Sequence, residues 1–166
     1  GNYERDIKPL IDVLEEACQE QLSRSCRVYY TQHTKCNDIR KFDDFDPTDD
    51  KGQDLCASYL IPELKLTQAK IVLVMGGKPK NHLKRAMKDL GVEESEIPSR
   101  VMDTVFSNPK ESTAVRTFES ADLNARILPS YHYGRQALRS MKDYTVIDND
   151  EKYWKALADE AVSHLN

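Results

Sequence analysis

Residues 69–75, Ala69-Lys70-Ile71-Val72-Leu73-Val74-Met75, form an apolar run that stops at Gly76-Gly77. A run of this length, rich in β-branched residues and without alternation, fits a strand buried on both faces of a sheet. Such a strand needs a helix on each side, so it constrains everything around it. The flanking sequence supplies those helices. Ile7, Leu10, Ile11, Leu14, Cys18 and Leu22 recur at helical spacing, with Asp6 ahead of them and Pro9 in the first turn; this predicts a helix over 6–22. A second helix is predicted over about 48–65, with Leu55, Tyr59, Leu60 and Leu64 inward and Asp46 or Thr48 as its cap. A third runs over about 79–90, with Gly91 just past its end.

Two further strands are expected. Arg27-Val28-Tyr29-Tyr30-Thr31 is β-branched and aromatic, and Ala125-Arg126-Ile127-Leu128-Pro129 closes on a proline. Residues 37–52 read as a polar loop, 92–122 as irregular, 134–142 as a helix, and 150–165 as a helix with Tyr153, Trp154, Leu157, Ala161 and Leu165 inward. Helix and strand alternate, which predicts an α/β fold with a short, mainly parallel sheet. The length of 166 residues suits one domain spanning 1–166.

Charge narrows the function classes. Twenty-four Lys and Arg against 28 Asp and Glu give a net charge of −4, which excludes a polycation gripping a duplex with its whole surface but not a local basic site. The acidic run Asp43, Asp44, Asp46, Asp49, Asp50 lacks the glycine and closing glutamate of a calcium loop and reads as solvated. No apolar stretch approaches the roughly 18 residues of a membrane span. The polar start carries no secretory signal, so an intracellular protein, cytoplasmic or nuclear, with reduced thiols is expected. Cys18 reads as a small buried hydrophobe, and no CxxC suggests a zinc or redox site.

In open α/β sheets ligands bind at the carboxyl ends of the strands. Here those ends are Thr31-Gln32-His33, Met75-Gly76-Gly77 and Pro129-Ser130-Tyr131-His132-Tyr133-Gly134-Arg135. The imidazole of His132 suits stabilising an anion or moving a proton. Arg135, Arg139 and Lys142 suit phosphates, and Tyr131 and Tyr133 suit stacking on a base. The Gln32 amide suits paired hydrogen bonds to a nucleobase edge. The plainer alternatives are a strand-to-helix turn with a solvent-facing histidine, and a structural glutamine. Gly76-Gly77-Lys78 lacks the spacing of a Walker motif and marks a tight turn.

Three stretches together resemble the uracil-DNA glycosylase superfamily, nearest its iron–sulfur (family-4) branch. Val28-Tyr29-Tyr30-Thr31-Gln32-His33-Thr34-Lys35-Cys36 resembles V-Y-I-T-N-x-x-K-C. Cys56-Ala57-Ser58-Tyr59-Leu60 through Ile71-Val72-Leu73-Val74-Met75-Gly76 resembles a C-x-x-Y-L helix and a K-x-I-V-x-x-x-G strand. Leu128-Pro129-Ser130-Tyr131-His132-Tyr133-Gly134-Arg135 is similar to P-T-x-H-P-S-x-L-L-R. The resemblance covers the chain from about residue 7 to the Trp154 helix.

The resemblance implies a three-layer α/β/α domain that excises uracil from DNA in base-excision repair. Gln32 would pair with the flipped base where the family has asparagine, with Tyr131 and Gly76 completing base recognition. His132 would be catalytic, steadying the uracil anion. Ser130, Tyr133, Gly134, Arg135, Gln136 and Arg139 would meet DNA, with Arg135 or Gln136 as the wedge. Expected substrates are uracil-containing or single-stranded DNA. The family's water-positioning G-E-A-P-G-x-x-E has no counterpart in the sequence. That implies an alternative, an inactive glycosylase-like module that binds DNA or a protein, with a partner supplying or replacing the missing N-terminal strand. Cys36 and Cys56 match only half of the four-thiolate set, so a complete [4Fe–4S] cluster is not expected.

Overall fold

The computed structural model describes residues 7–29, 31, 50–76, 81–131 and 145–165. Its regular elements are helices α1 (Lys8–Leu22) and α2 (Asp50–Thr67), strand β1 (Ile71–Gly76), helices α3 (Asn81–Asp89) and α4 (Val101–Val105), strands β2 (Phe118–Glu119) and β3 (Arg126–Tyr131), and helix α5 (Asp150–Ser163). A 3-10 turn, Glu94–Glu96, precedes α4. Among the described residues, no helix is long and apolar enough to cross a membrane. The predicted helix at 134–142 and the acidic stretch at 43–49 lie outside the described residues.

Among the described residues, the fold mixes helix and strand around a three-stranded sheet of order β1-β3-β2. β1 and β3 run parallel, in register from Ile71 opposite Arg126 to Gly76 opposite Tyr131. β2 pairs antiparallel with the start of β3 through Phe118–Ile127 and Glu119–Arg126. The sheet is therefore mixed, not mainly parallel. Its third strand comes from the stretch read as irregular, where two residues are too few to show alternation.

Residues 127 to 130 of β3 are all buried, so this central strand is covered on both faces. Around it gather Leu83, Met87, Val105, Phe106, Ile147 and Leu157 in one continuous core. A smaller cluster of Ala17, Cys18, Ala158 and Val162 joins α1 to α5. The two helices end together: the Gln21 amide donates to Asp159 (2.9 Å) and the Arg24 guanidinium to the carbonyl of Leu165 (2.8 Å).

Gly91 ends α3 as expected, and two constraints demand glycine there. Its φ is +80°, and a Cβ would stand 2.6 Å from Oδ2 and 2.9 Å from the backbone nitrogen of Asp122. At the N-terminus of α5 the Asn149 side chain accepts from the Lys152 amide (2.8 Å), capping the helix.

Three expectations are corrected. Residues 27–29 and 31 form no strand. Val28 and Tyr29 are about half exposed, and the hydroxyls of Tyr29 and Thr31 donate to one oxygen of Glu63 on α2, at 2.5 and 2.8 Å. Strand-like composition here serves side-chain bonds to a helix instead of a ladder. Among the described residues no strand pairs with the outer edge of β1.

Second, Cys18 is not a reduced thiol. After α1, Ser23 takes a left-handed conformation (φ 54°) and turns the chain back, so that Cys26 meets Cys18 in a disulfide. Cys18 is fully buried as expected, but the eight-residue spacing to Cys26 carries no motif that signals a bridge.

Third, Pro129 does not end its strand. The Arg126 amide donates to the Lys70 carbonyl, toward β1 (2.9 Å). Amides alternate in direction along a strand, so those of residues 127, 129 and 131 face the β2 side. β2 reaches only as far as Ile127. The missing N–H of Pro129 thus falls where, among the described residues, no strand pairs with it, and the strand continues to Tyr131 at no cost in those ladder bonds.

Candidate functional site at the carboxyl end of the sheet

The parallel register of β1 and β3 sets Met75 beside Ser130 and Gly76 beside Tyr131. Two predicted base-recognition residues, Gly76 and Tyr131, thereby share one sheet end. Parallel strands deliver their ends side by side, although 55 residues of chain separate these two.

Tyr131 is partly buried in an aromatic group. Its ring centroid lies 6.4 Å from Phe106 and 6.3 Å from Tyr153, the latter nearly edge-on at 73°. Phe106 and Tyr153 are 5.9 Å apart, and Tyr153 also packs on Trp154 at 4.8 Å. These separations suit aromatic pairs. Tyr131 therefore spends part of its ring on packing.

Ser130, read from the sequence as a DNA contact, is fully buried. Its hydroxyl lies 2.9 Å from the carbonyl of Tyr131 and 2.9 Å from the Tyr153 hydroxyl. The amide of Tyr131 donates to the Tyr153 hydroxyl oxygen at 2.8 Å. One arrangement satisfies all three contacts: Tyr131 N–H to Tyr153, Tyr153 O–H to Ser130, and Ser130 O–H to the Tyr131 carbonyl. The correction for Ser130 is physical, since a buried hydroxyl already bonded twice is not offered to a phosphate.

Charge reaches this end through α4. Arg100 and Asp103 pair at 3.7 Å. Burial foremost, then the Asp103 carboxylate, pushes the Tyr131 phenol up to about 12, with Arg100 pulling it back. Burial raises Tyr153 further, against its bonds to Ser130 and Tyr131. Both phenols are thus neutral donors at ordinary pH. A folded-state pKa above the unfolded value near 10 favours the native state below pH 10, and that contribution disappears as pH rises through about 12. Native protein is therefore expected to show late tyrosine ionisation at 295 nm, coincident with loss of folded structure between about pH 10 and 12. Ionisation of all eight tyrosines in one phase near pH 10, with the fold intact, would refute it.

Gln32, His132, Tyr133, Gly134, Arg135, Gln136, Arg139 and Cys36 lie outside the described residues, as does the side chain of Cys56. Cys18 and Cys26 are bonded to each other, so neither can complete a four-thiolate set with Cys36 and Cys56. The cysteines of this chain do not fit an iron–sulfur cluster.

Sequence reasoning missed Phe106, Arg100 and Asp103, which sit in a stretch without hydrophobic period. It placed Tyr153 inward but gave no role to its hydroxyl. A tyrosine on a buried helical stripe is itself a signal, because its hydroxyl must find a partner there. Compared with known proteins, the chain matches no family model, no curated protein and no solved structure.

Proposed function

We propose that the chain is a uracil-DNA glycosylase-like domain, a three-layer α/β/α unit that takes a flipped uracil at the carboxyl end of its sheet. The observation that carries this reading is the register of β1 and β3, which sets Gly76 beside Tyr131 at the sheet end where α/β folds bind ligands. The order of the three motifs along the sequence supports it independently.

The chemistry is hydrolysis of an N-glycosidic bond. Extruding the nucleotide costs a few kcal/mol, which pocket contacts offset. The Gln32 amide reads the base edge, and His132 steadies negative charge on the departing uracil. Arg135 and Arg139 hold the DNA backbone.

The test is release of free uracil from a single-stranded oligonucleotide carrying one uracil. The wild type is expected to release it, and His132→Ala to lower the rate about 100- to 1000-fold. Equal inertness of both would end the catalytic reading.

A second reading rests on Gln32, which stands where the resembled family has asparagine and changes the reach of the amide. It makes the domain a DNA-binding module without catalysis. Binding would then survive His132→Ala, weaken with Arg135→Ala and fall with added salt.

A further inference from the structure

The third strand of the sheet is too short for its neighbour. β2 pairs only with Arg126 and Ile127, yet β3 continues to Tyr131. On that side Pro129 has no amide to satisfy, but Tyr131 does. A buried amide without a partner is costly. Its partner is a side chain from 22 residues further on: the Tyr153 hydroxyl, at 2.8 Å. Through Ser130 the same hydroxyl is coupled to the carbonyl of Tyr131. Both polar groups of Tyr131 are thus tied, directly or through one atom, to a single oxygen on α5.

We propose that Tyr153 is a positioning residue: its hydroxyl takes the place of a strand partner beside Tyr131 and fixes the backbone of Tyr131, the residue that precedes His132 in the sequence. The proposal rests on the glycosylase-like reading for its functional consequence, but not for its structural one. The Tyr131 N–H belongs to the peptide plane before it and its C=O to the plane after it, and both are bonded, directly or through Ser130, to the hydroxyl of one buried ring. Tyr153 is fully buried, packed on Phe106 and Trp154, and carried by a capped helix. Rigid anchoring of this kind is what a catalytic side chain on the next residue requires, since small misplacements there are expensive in rate. Its neutral state is protected by burial, so the donor and acceptor roles persist across ordinary pH.

The experiment compares wild type, Tyr153→Phe and Ser130→Ala in the full chain. Two readouts are taken: amide exchange of Tyr131 and uracil release from the single-stranded oligonucleotide. Tyr153→Phe keeps the ring and its packing and removes only the hydroxyl. The Tyr131 amide is expected to exchange at least about tenfold faster, while amides in the middle of α1 are unchanged. Uracil release is expected to fall about 10- to 100-fold with the apparent affinity for DNA retained, which a uniform loss of stability would not produce. Ser130→Ala breaks the loop at its other side and is expected to act in the same direction with a smaller effect. It also keeps the test decisive if Tyr153→Phe folds poorly. Unchanged Tyr131 exchange in both variants overturns the proposal, as does faster exchange with uracil release unaltered from an active wild type. If exchange rises but the wild type releases no uracil, the anchoring stands and the glycosylase reading fails.

Discussion

Replacing Phe106 by alanine is expected to destabilise the fold by about 3–5 kcal/mol. The side chain is fully buried. Its ring is shared by Tyr131 at the sheet end and Tyr153 on α5, at 6.4 and 5.9 Å. The backbone around it is equally committed. The Phe106 amide donates to Met102 (2.9 Å), its carbonyl accepts from the Arg116 side chain (3.2 Å), and the residue bridges to Val115. The surroundings therefore have little freedom to collapse into the space left by the ring, which puts the cost in the upper part of the usual range. Domains of this size have a total stability of about 5–15 kcal/mol, so the loss is a large share of the whole. Urea unfolding should show a lower midpoint with the slope unchanged. Leu66→Ala, on the exposed face of α2 at 86% exposure, is the matching control and is expected to move stability by less than about 0.5 kcal/mol. A loss below about 1 kcal/mol at Phe106 would mean that this aromatic group does not hold α5 to the sheet.

The features that sequence reasoning captured are those written in hydrophobic period. The helix at residues 8–22, the strand ending at Gly76, the strand holding Ile127 and Leu128, and the terminal helix around Trp154 all lie close to where spacing put them. The expected burial on both faces falls to β3 instead: of residues 71–75 only Val74 is buried, because among the described residues β1 lies at the edge of the sheet. What it lost depends on partners rather than on pattern. Residues 27–31 have the composition of a strand, but a strand exists only in a ladder, and Tyr29 and Thr31 bond to Glu63 instead. Pro129 looked like a terminator because proline lacks an amide. Whether that matters depends on which side the amide would face, and this follows only from the pairing of Arg126 with Lys70. The site shows the same division. Gly76 and Tyr131 were readable as strand ends. The Ser130–Tyr153 contact joins residues 23 apart on different elements, and no local pattern encodes it.

Reducing the Cys18–Cys26 bridge is expected to lower stability by about 2.5 kcal/mol, from the loop-closure entropy that an eight-residue separation removes from the unfolded chain. For a chain of this length that corresponds to a melting temperature about 5–10 °C lower. The figure counts only the unfolded state. In the native state the bridge also sits in the small apolar cluster of Ala17, Ala158 and Val162, where Cys18 is fully buried and Cys26 packs against it. Two free thiols would fill nearly the same space there, so packing should change little and the entropy term should dominate. Calorimetry with and without reductant measures the shift, and the Cys18→Ala/Cys26→Ala double variant isolates it, because reductant should leave that variant's melting temperature unmoved. Labelling of unfolded, unreduced protein should reach Cys18 and Cys26 only after reductant is added. Equal melting temperatures with and without reductant, or labelling of both residues beforehand, would show that the bridge does not hold the native chain. The consequence extends to the proposed base pocket. Cys26 anchors the segment that carries Tyr29 and Thr31 to Glu63 and continues directly into Gln32. In a reducing compartment the bridge opens, and the segment loses that tie while its hydroxyl bonds to Glu63 remain. If the domain acts as proposed, reductant should weaken base recognition through Gln32 more than contacts made by Arg135 and Arg139.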